Sequence, residues 1–316
     1  MIVAHSYNSG HRLAWDAFID GSKNGTFMLK RDYVEYHADR FIDASIVFCD
    51  DSDAIVAVLP ASRHADELRS HGGLTYGGII VDKRMTAAKM LEVFDALKDF
   101  LRKKDIARLI YKRVPPIYYN YPSDEDLYAL FRNGAKLFRR DLSTAIDLHD
   151  PLPFSSVRTR YAKKACKMGL EVRESDDYEQ YVAVLTDVLK SRHNVRPPHT
   201  ADELRLLASR FPQTIKLFCA YRSEVMLAGV LIFDTPQVVH AQYIANSEEG
   251  RKVGALDLVM EYLVNAYALR RRYFDFGIST EDGGRILNEG LVGQKEMFGG
   301  RSVVYDFYEL EVVNEI

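Results

Sequence analysis

The two halves of the 316-residue chain repeat the same order of predicted elements, and this repetition limits the fold more than any other feature. The first half contains SIVFCDDSDAIVAVLPAS and the second contains IKLFCAYRSEVMLAGVLIF, and each has the pattern of a strand, a short polar turn and a second strand. Both halves continue with a strand, a polar connection, an amphipathic helix and another strand. Because such self-similarity is the signature of repeated supersecondary units, it predicts two related α/β modules.

The helix of each half carries apolar residues at helical spacing on one face. They are Met90, Val93, Phe94 and Leu97 in the first half, and Leu256, Val259, Met260 and Leu263 in the second. Each helix is therefore expected to pack that face against a sheet. The fold class that follows is α/β.

The boundary between the modules is predicted near residues 146–156, where Pro151 and Pro153 interrupt regular structure. The modules are then residues 1–150 and 151–316. The basic segment VRTRYAKKACKMGLEV follows the boundary. It has two interpretations, a solvated helix face or a groove for an anionic donor or acceptor.

Composition and charge narrow the function. The formal net charge is −3 and the pI is about 6.3, which argues against broad binding of nucleic acid by a basic surface. Cys49, Cys166 and Cys219 have no metal-binding spacing and are expected to be reduced, so no metal site is predicted. The N-terminus lacks a secretory pattern, and no run reaches the roughly 18 apolar residues of a membrane span. We expect a cytoplasmic protein without an integral membrane segment.

The segment YIANSEEGRKVGALDLVMEYL, residues 243–263, has the pattern of a strand, a short loop with two glycines and a helix. Unpaired N–H groups at a helix start favour an anion, and glycine lets a phosphate approach the backbone closely. Arg251 and Lys252 add positive charge, whereas Glu248 and Glu249 would repel an anion if they pointed inward. The loop has neither P-loop nor GxGxxG spacing. It either holds a phosphate or is only a connection.

This order of strand, basic glycine loop, helix and strand resembles the acyl-CoA-binding core of the GNAT acyltransferase superfamily. The family loop is often [Q/R]-x-x-G-x-[G/A]; here RKVGAL supplies Arg251 and Gly254, with Leu256 where Gly or Ala is expected. The resemblance to two-module, Fem-like (FemAB-type) members extends along nearly the whole chain through NGTFMLKRDYVEYHADRFIDASIVF, SHGGLTYGGIIVD and FDFGISTEDGGRILNEGLVGQKEMFGGR. It implies two tandem GNAT-like modules, each a mixed, mostly antiparallel sheet flanked by helices.

The resemblance implies that the second module binds an acyl-CoA as donor, and acetyl-CoA is the first candidate. A backbone N–H near Ile244 and Ala245 would polarise the acyl carbonyl. The residues implied in pyrophosphate binding are Gly250, Arg251, Lys252, Val253, Gly254 and Ala255. The matching connection of the first module, VDKRMTA, has no glycine at the helix start, so the first module is expected to lack donor binding.

Two side chains are candidates for catalysis. His240 lies on the strand before the loop and Asp275 on the next strand, so both are expected near one cleft. Each also has a structural interpretation, His240 as a satisfied core group and Asp275 as an ion-pair partner or turn cap. Candidates for acceptor binding stand in glycine-rich, polar or basic segments, and packing or surface roles are the simpler alternative for them. They are Tyr76, Arg192, His193, Asn288, Gln294 and Lys295.

The implied function is N-acyl transfer from acyl-CoA to an amine, with an amino sugar of cell-envelope glycan synthesis as the favoured acceptor. The neutral amine would attack the thioester directly, without a covalent enzyme intermediate. A first alternative keeps the fold but takes aminoacyl-tRNA as donor, as a Fem-like peptidyltransferase. A second alternative is a non-catalytic pair of degenerate GNAT modules that binds a ligand or a partner. The sequence does not indicate the oligomeric state.

Overall fold

The chain folds as two compact units. The computed structural model describes residues 1–193 and 197–312, without the side chains of residues 37 and 191–193. Unit 1 comprises Met1–Asp141, Asp282–Ile286 and the residues from Val304 onward, and unit 2 comprises Leu142–Glu281 and Leu287–Val303. The division at residue 150 into a module without a donor and a module with one stays a prediction.

The strands and helices are numbered in chain order. The strands are β1 Val3–Ser6, β2 Ile42–Asp43, β3 Ile46–Cys49, β4 Ile55–Leu59, β5 Ser62–His64, β6 Glu67–Arg69, β7 Ile80–Val81, β8 Arg108–Lys112, β9 Lys136–Asp147, β10 Glu171–Ser175, β11 Ile215–Arg222, β12 Val225–Asp234, β13 Val238–Asn246, β14 Tyr273–Ile278, β15 Thr280–Glu281, β16 Ile286–Leu287 and β17 Arg301–Glu311. The α-helices are α1 Arg12–Gly21, α2 Arg31–Val34, α3 Ala87–Lys103, α4 Glu125–Arg132, α5 Ser156–Lys167, α6 Tyr178–His193, α7 Ala201–Arg210, α8 Glu248–Val253, α9 Ala255–Tyr267 and α10 Glu289–Glu296. Short 3₁₀ helices cover Ser9–His11, Phe27–Leu29, Glu35–His37, Pro116–Tyr118 and Asp282–Gly284.

Unit 1 is built on two groups of strands. In the first group β1, β3, β4 and β7 are neighbours in this order, and every pair is antiparallel. In the second the order is β17, β8, β6, β5 and β2, with β6 and β8 parallel. Helix α3 buries the predicted apolar face, Met90, Val93, Phe94 and Leu97, in the core of this unit.

The sheet of unit 2 has the strand order β10, β11, β12, β13, β14 and β9. Its neighbouring strands are antiparallel except β13 and β14, which are parallel. Parallel strands need a crossover connection, and helices α8 and α9 provide it. Helix α9 buries Val259, Met260 and Leu263, and Leu256 packs at the margin of the same core. The predicted fold class is thereby confirmed, since both units are mixed, mostly antiparallel sheets flanked by helices.

Two irregularities open the sheet of unit 2 along β13. The register between β12 and β13 shifts by one residue, which leaves Gln242 as the extra residue of a bulge. The pairing between β13 and β14 extends only from Val238 to His240, although β13 continues to Asn246. Among the described residues, the rest of β13 is paired with β12 alone. The two parallel strands therefore part beyond His240.

The segment after β13 differs from the predicted loop. Residues Glu248–Val253 form helix α8, and Gly254, with φ +84°, turns the chain directly into α9. Ser247 caps α8 by accepting the N–H of Gly250. This cap and a left-handed glycine let six residues form a separate helix where the two glycines and the charged residues between them suggested a loop. Among the described residues, no helix is long and apolar enough to span a membrane.

Candidate functional site

A cavity of about 370 Å³ lies in unit 2 where β13 and β14 part. Its walls come from α5, α6, β13, α8, α9, β14, α10 and the turn after α10, so distant parts of the sequence converge on it. The lining residues are Arg158, Tyr161, Val188, Ile244, Asn246, Arg251, Leu256, Asp257, Met260, Phe276, Leu291, Gln294, Lys295 and Phe298. Apolar walls with a few convergent polar groups are typical of a ligand site.

An ion pair crosses one wall of the cavity. The Nη1 of Arg158 lies 3.1 Å from Oδ1 of Asp257, and the guanidinium carbon lies 4.7 Å from the ring centre of Phe298. Burial raises the pKa of Asp257, while Arg158 acts against that shift. The Nε of Arg158 is buried without a hydrogen-bond partner in the described part of the chain. A buried donor of this kind has an unmet need that a ligand oxygen would satisfy.

Lys295 forms another wall and is itself buried. Its Nζ donates to the carbonyl oxygens of Gly277 at 2.7 Å and Ile278 at 2.8 Å, and to Oγ of Ser279 at 2.8 Å. Burial lowers the pKa of Lys295 to about 8, and the nearby carboxylate of Asp275 acts against that shift. Lys295 thus holds the end of β14 in place beside the cavity.

The two glycines predicted to approach a phosphate approach the protein's own backbone instead. A Cβ atom on Gly250 would lie 2.4 Å from the carbonyl oxygen of Leu227, and one on Gly254 would lie 2.4 Å from that of Tyr161. The N–H of Gly250 donates to Oγ of Ser247 at 2.9 Å, and that of Gly254 to the Gly250 carbonyl at 2.9 Å. These N–H groups already have partners within the chain.

The charges around α8 and α9 also differ from those of a simple anion site. Asp257 lies in the first turn of α9, where the helix dipole would otherwise favour an external anion. Glu248 lies in the first turn of α8 and pairs with Lys252 at 2.7 Å. Arg251 is exposed, lines the cavity and donates to the carbonyl of Asn246 at 3.0 Å. Of the two cations predicted to bind phosphate, Arg251 and Lys252, Arg251 lines the cavity.

The two predicted catalytic side chains are hydrogen-bonded to each other. His240 and Asp275 are register partners on β13 and β14, and Nδ1 of His240 lies 2.8 Å from Oδ2 of Asp275. Both are buried, His240 with 5% and Asp275 with 0% of its surface exposed. The pair stands at the last position before the strands part. Gly277 links it to the cavity wall, because its N–H donates to Asp275 at 3.0 Å and its carbonyl accepts from Lys295.

The remaining predicted residues divide between the cavity and other places. Ile244 and Gln294 line the cavity, as do Arg251 and Lys295. Asn288 caps α10, accepting the N–H of Leu291 and donating to Glu281. The buried or packed residues are Ala245, Val253 and Ala255 in unit 2 and Tyr76 in unit 1, where its hydroxyl donates to Thr26. The side chains of Arg192 and His193 lie outside the described residues.

Several cavity residues were missed by sequence reasoning. They are Asn246, Asp257, Phe276 and Phe298, whereas Arg158 belongs to the basic segment for which an anion groove was one interpretation. A signal was available for Asp257. It lies within the apolar helix α9, three residues before Met260, and residues at that spacing share one face of a helix. The others come together only through the tertiary fold. Among the described residues, no group of three or more His, Cys, Asp or Glu side chains could hold a metal ion.

Comparison with known proteins agrees with this geometry. Residues 155–282 match the family Acetyltransf_6, the acetyltransferase (GNAT) domain. The fold is similar to that of FemX, with 13% identity over 96% of both chains and a TM-score of 0.67. It is also similar to L-PGS from Bacillus licheniformis, with 10% identity over 91% of this chain and 93% of that chain and a TM-score of 0.60.

A third similar structure is a tandem GNAT protein from the clavulanic acid biosynthesis pathway, with 13% identity over 100% of this chain and 99% of that chain and a TM-score of 0.52. No curated protein sequence matches the chain. At these identities the structural similarities show a shared fold. Residues 155–282 thus match a GNAT acetyltransferase domain, and the chain shares its fold with FemX and with a tandem GNAT protein.

Proposed function

We propose that unit 2 transfers an acyl group to an amine acceptor and that its cavity holds the acyl end of the donor. The observation that carries this proposal is the position of the cavity, at the place where the parallel strands β13 and β14 part. A carbonyl inserted there would meet main-chain groups of β13 near Ile244. Preset donors of this kind stabilise the charge that develops on the carbonyl oxygen when a nucleophile attacks.

The apolar side chains would exclude water from the reacting carbonyl. Phe276, Phe298, Leu256 and Met260 supply this surface. Excluding water limits hydrolysis of the donor and strengthens the electrostatic interactions within the site. The proposed cavity therefore favours transfer to an amine over loss of the acyl group to water.

His240 is the proposed proton acceptor, held by Asp275. Attack of the amine nitrogen forms the N–C bond, breaks the bond between the acyl carbon and the leaving atom, and releases one proton from nitrogen. The imidazole takes that proton and the leaving group is protonated in turn, so the products are an amide and the protonated leaving group. His240 lies one register position before the strands part, which suits this role.

Acyl-CoA is the first candidate donor, because the domain family is that of GNAT acetyltransferases. Its acyl end suits the cavity. Its pyrophosphate does not fit the backbone of Gly250 and Gly254, because the N–H groups of both glycines are bonded within the chain. Phosphate contacts would then come from the exposed side chain of Arg251 and from the basic face of α5.

An aminoacyl donor, as in aminoacyl-tRNA, is the second candidate because Asp257 lines the cavity. A buried carboxylate suits the ammonium group of an aminoacyl group better than a plain acyl chain. One of the similar structures is named as a putative lysylphosphatidylglycerol synthetase domain, with 12% identity. An amine of a sugar in a cell-envelope glycan precursor remains the proposed acceptor for either donor.

The test is a transfer assay with matched donors. Purified protein is incubated with acetyl-CoA, longer acyl-CoAs or charged aminoacyl-tRNA, each with a panel of free and nucleotide-linked amino sugars, and amides are detected by mass spectrometry. We expect a product with one donor class, and a rate at least about tenfold lower for His240→Gln. Absence of product with every donor contradicts the proposal.

Asp257→Asn separates the two donors. With an aminoacyl donor, loss of the carboxylate should raise the donor KM by roughly tenfold or more, because a charge-assisted contact to the ammonium is lost. With acetyl-CoA the two proteins should have similar donor KM values. Circular dichroism checks that the variant is folded, since Asp257 also pairs with Arg158.

A further inference from the structure

A third side chain completes the arrangement around His240. Ser143 lies on β9, the strand beside β14, and its Oγ donates to Oδ1 of Asp275 at 2.6 Å. Asp275 has 0% of its surface exposed, and so does Ser143. Three neighbouring strands, β9, β14 and β13, thus contribute one residue each to a buried line of hydrogen bonds that ends at His240.

The contacts fix the orientation of the carboxylate. Oδ1 of Asp275 accepts from Ser143 and from the N–H of Gly277 at 3.0 Å, and Oδ2 lies 2.8 Å from Nδ1 of His240. An ionised carboxylate only accepts hydrogen bonds, so Nδ1 carries the proton. Nε2 of His240 is then the nitrogen with the lone pair, which is the form that can accept a proton from an amine.

Thr144, the next residue on β9, offers a comparison for the hydroxyl of Ser143. Thr144 is also fully buried, and its Oγ1 has no hydrogen-bond partner among the described residues. Side chains alternate between the two faces of a strand, so Ser143 and Thr144 point to opposite sides of the sheet. A buried hydroxyl on β9 is therefore compatible with the fold without touching Asp275. The hydrogen bond from Ser143 to Asp275 is therefore specific to the face of the sheet that carries His240.

We infer that Ser143 is a positioning residue for proton transfer, which sets the tautomer and the orientation of His240 through Asp275. The inference rests on the proposed acyl transfer for its chemical purpose. Without the Ser143 hydroxyl, Oδ1 of Asp275 loses this side-chain donor, while the N–H of Gly277 still donates to it. The carboxylate can then rotate, and the proton on Nδ1 of His240 is no longer held on one nitrogen.

The test reads the tautomer directly and needs no substrate. Protein labelled with ¹⁵N-histidine is studied by long-range ¹H–¹⁵N correlation spectroscopy at neutral pH, and the His240 signals are assigned by their loss in His240→Gln. We expect the Nδ1–H tautomer in the wild type and in the matched control Thr144→Val. In Ser143→Ala we expect a mixture of the two tautomers. Melting curves of all variants verify that they are folded.

Ser143→Cys provides a second variant of similar size with a weaker donor, and it should give an intermediate tautomer population. An unchanged tautomer in both Ser143 variants, or an equal shift in Thr144→Val, overturns the inference. Where the transfer assay yields a reaction, Ser143→Ala should lower kcat roughly tenfold and leave the donor KM unchanged. Failure of that assay with the wild type counts against the acyl transfer alone, because the tautomer result stands independently.

Discussion

The ammonium group of a lysine fastens a glycine-containing segment in each unit, half-buried Lys112 in unit 1 and buried Lys295 in unit 2. In unit 1, Nζ of Lys112 donates to the carbonyl oxygens of His71 at 3.1 Å, Gly72 at 3.2 Å and Leu74 at 2.7 Å. In unit 2, Nζ of Lys295 donates to the carbonyl oxygens of Gly277 and Ile278 at the end of β14, and to the hydroxyl of Ser279. Burial lowers the pKa of each lysine to about 8.

Lys295 borders the cavity of unit 2. In unit 1 the ring of Phe41 packs against Gly72 and Gly73, in the segment whose carbonyls Lys112 binds. In unit 2 the parting of β13 and β14 leaves space beside Lys295, and Phe276 and the ion pair of Arg158 line that space. An ammonium group that holds backbone carbonyls therefore lies beneath a segment packed by Phe41 in one unit and beside a candidate site in the other.

The largest expected effect is on stability. Lys112→Met and Lys295→Met each remove the ammonium donor of three oxygen atoms, which should lower the free energy of unfolding by about 4 kcal/mol. Urea unfolding measures both. Binding of the acyl donor distinguishes the two variants. Lys295→Met should weaken it, and Lys112→Met should leave it unchanged. Equal loss of binding in both variants would show that the two lysines do not differ as described.

The pH dependence of stability is the next largest effect. The folded pKa of about 8 lies below the 10.5 of an exposed lysine, so unfolding takes up a proton between these values. The stabilising contribution is complete above pH 10.5 and is lost as the pH falls through 8. Relative to Lys295→Met, the wild type should gain about 3 kcal/mol between roughly pH 7 and pH 10.5. If the free energy of unfolding depended on pH in the same way in both proteins, the lowered pKa of Lys295 would be contradicted.

The helix entrances of the two units give a smaller contrast. Gly254 enters α9 at φ +84° against the Tyr161 carbonyl, whereas Thr86 caps α3 by accepting the N–H of Lys89. Gly254→Ala should cost about 3 kcal/mol through strain and overlap, and Thr86→Ala about 1 kcal/mol through loss of the cap. Thermal melts rank the two variants. A Gly254→Ala protein as stable as the wild type would show that the entrance is less crowded than described.

The smallest effect is expected at the surface of α8. Lys252 and Glu248 are 70% and 75% exposed in their side chains, so their ion pair is screened by water. Lys252→Ala should leave the melting temperature and donor binding unchanged, in contrast to Arg251→Ala, which removes a cavity residue. Titration of both variants with the active donor checks this. Weaker binding in Lys252→Ala than in Arg251→Ala would reverse the assignment of the cavity-facing cation.

The fold was accessible from sequence because its signals are local. The apolar spacing of α3 and α9 predicted the buried faces, and the repeated order of elements predicted two α/β modules. The sequence predicted a loop where Glu248–Val253 form a helix, while the phosphate site itself stays a prediction. Glycine permits close approach of any group, and the spacing of Gly250 and Gly254 does not tell a phosphate from the carbonyls of Leu227 and Tyr161.

The site was only partly accessible for a related reason. His240 and Asp275 could be placed together because they flank a crossover between parallel strands, and they are hydrogen-bonded in the structure. The cavity walls come from segments far apart in the chain, such as Arg158 and Phe298, and no spacing in the sequence brings them together. Ser143 was missed because it belongs to β9, more than one hundred residues before its partner Asp275.

The most direct test of the central claim is a calorimetric titration of two matched variants. Leu256 and Leu258 are both partly buried on α9, but Leu256 lines the cavity and Leu258 lies in a separate groove with Tyr262. Acetyl-CoA, or a stable aminoacyl-adenosine if the aminoacyl donor is the active one, is titrated into the wild type, Leu256→Phe and Leu258→Phe. If the cavity holds the acyl end of the donor, Leu256→Phe should bind at least about tenfold more weakly, and Leu258→Phe like the wild type. Equal affinity of all three proteins would place the donor elsewhere and contradict the account.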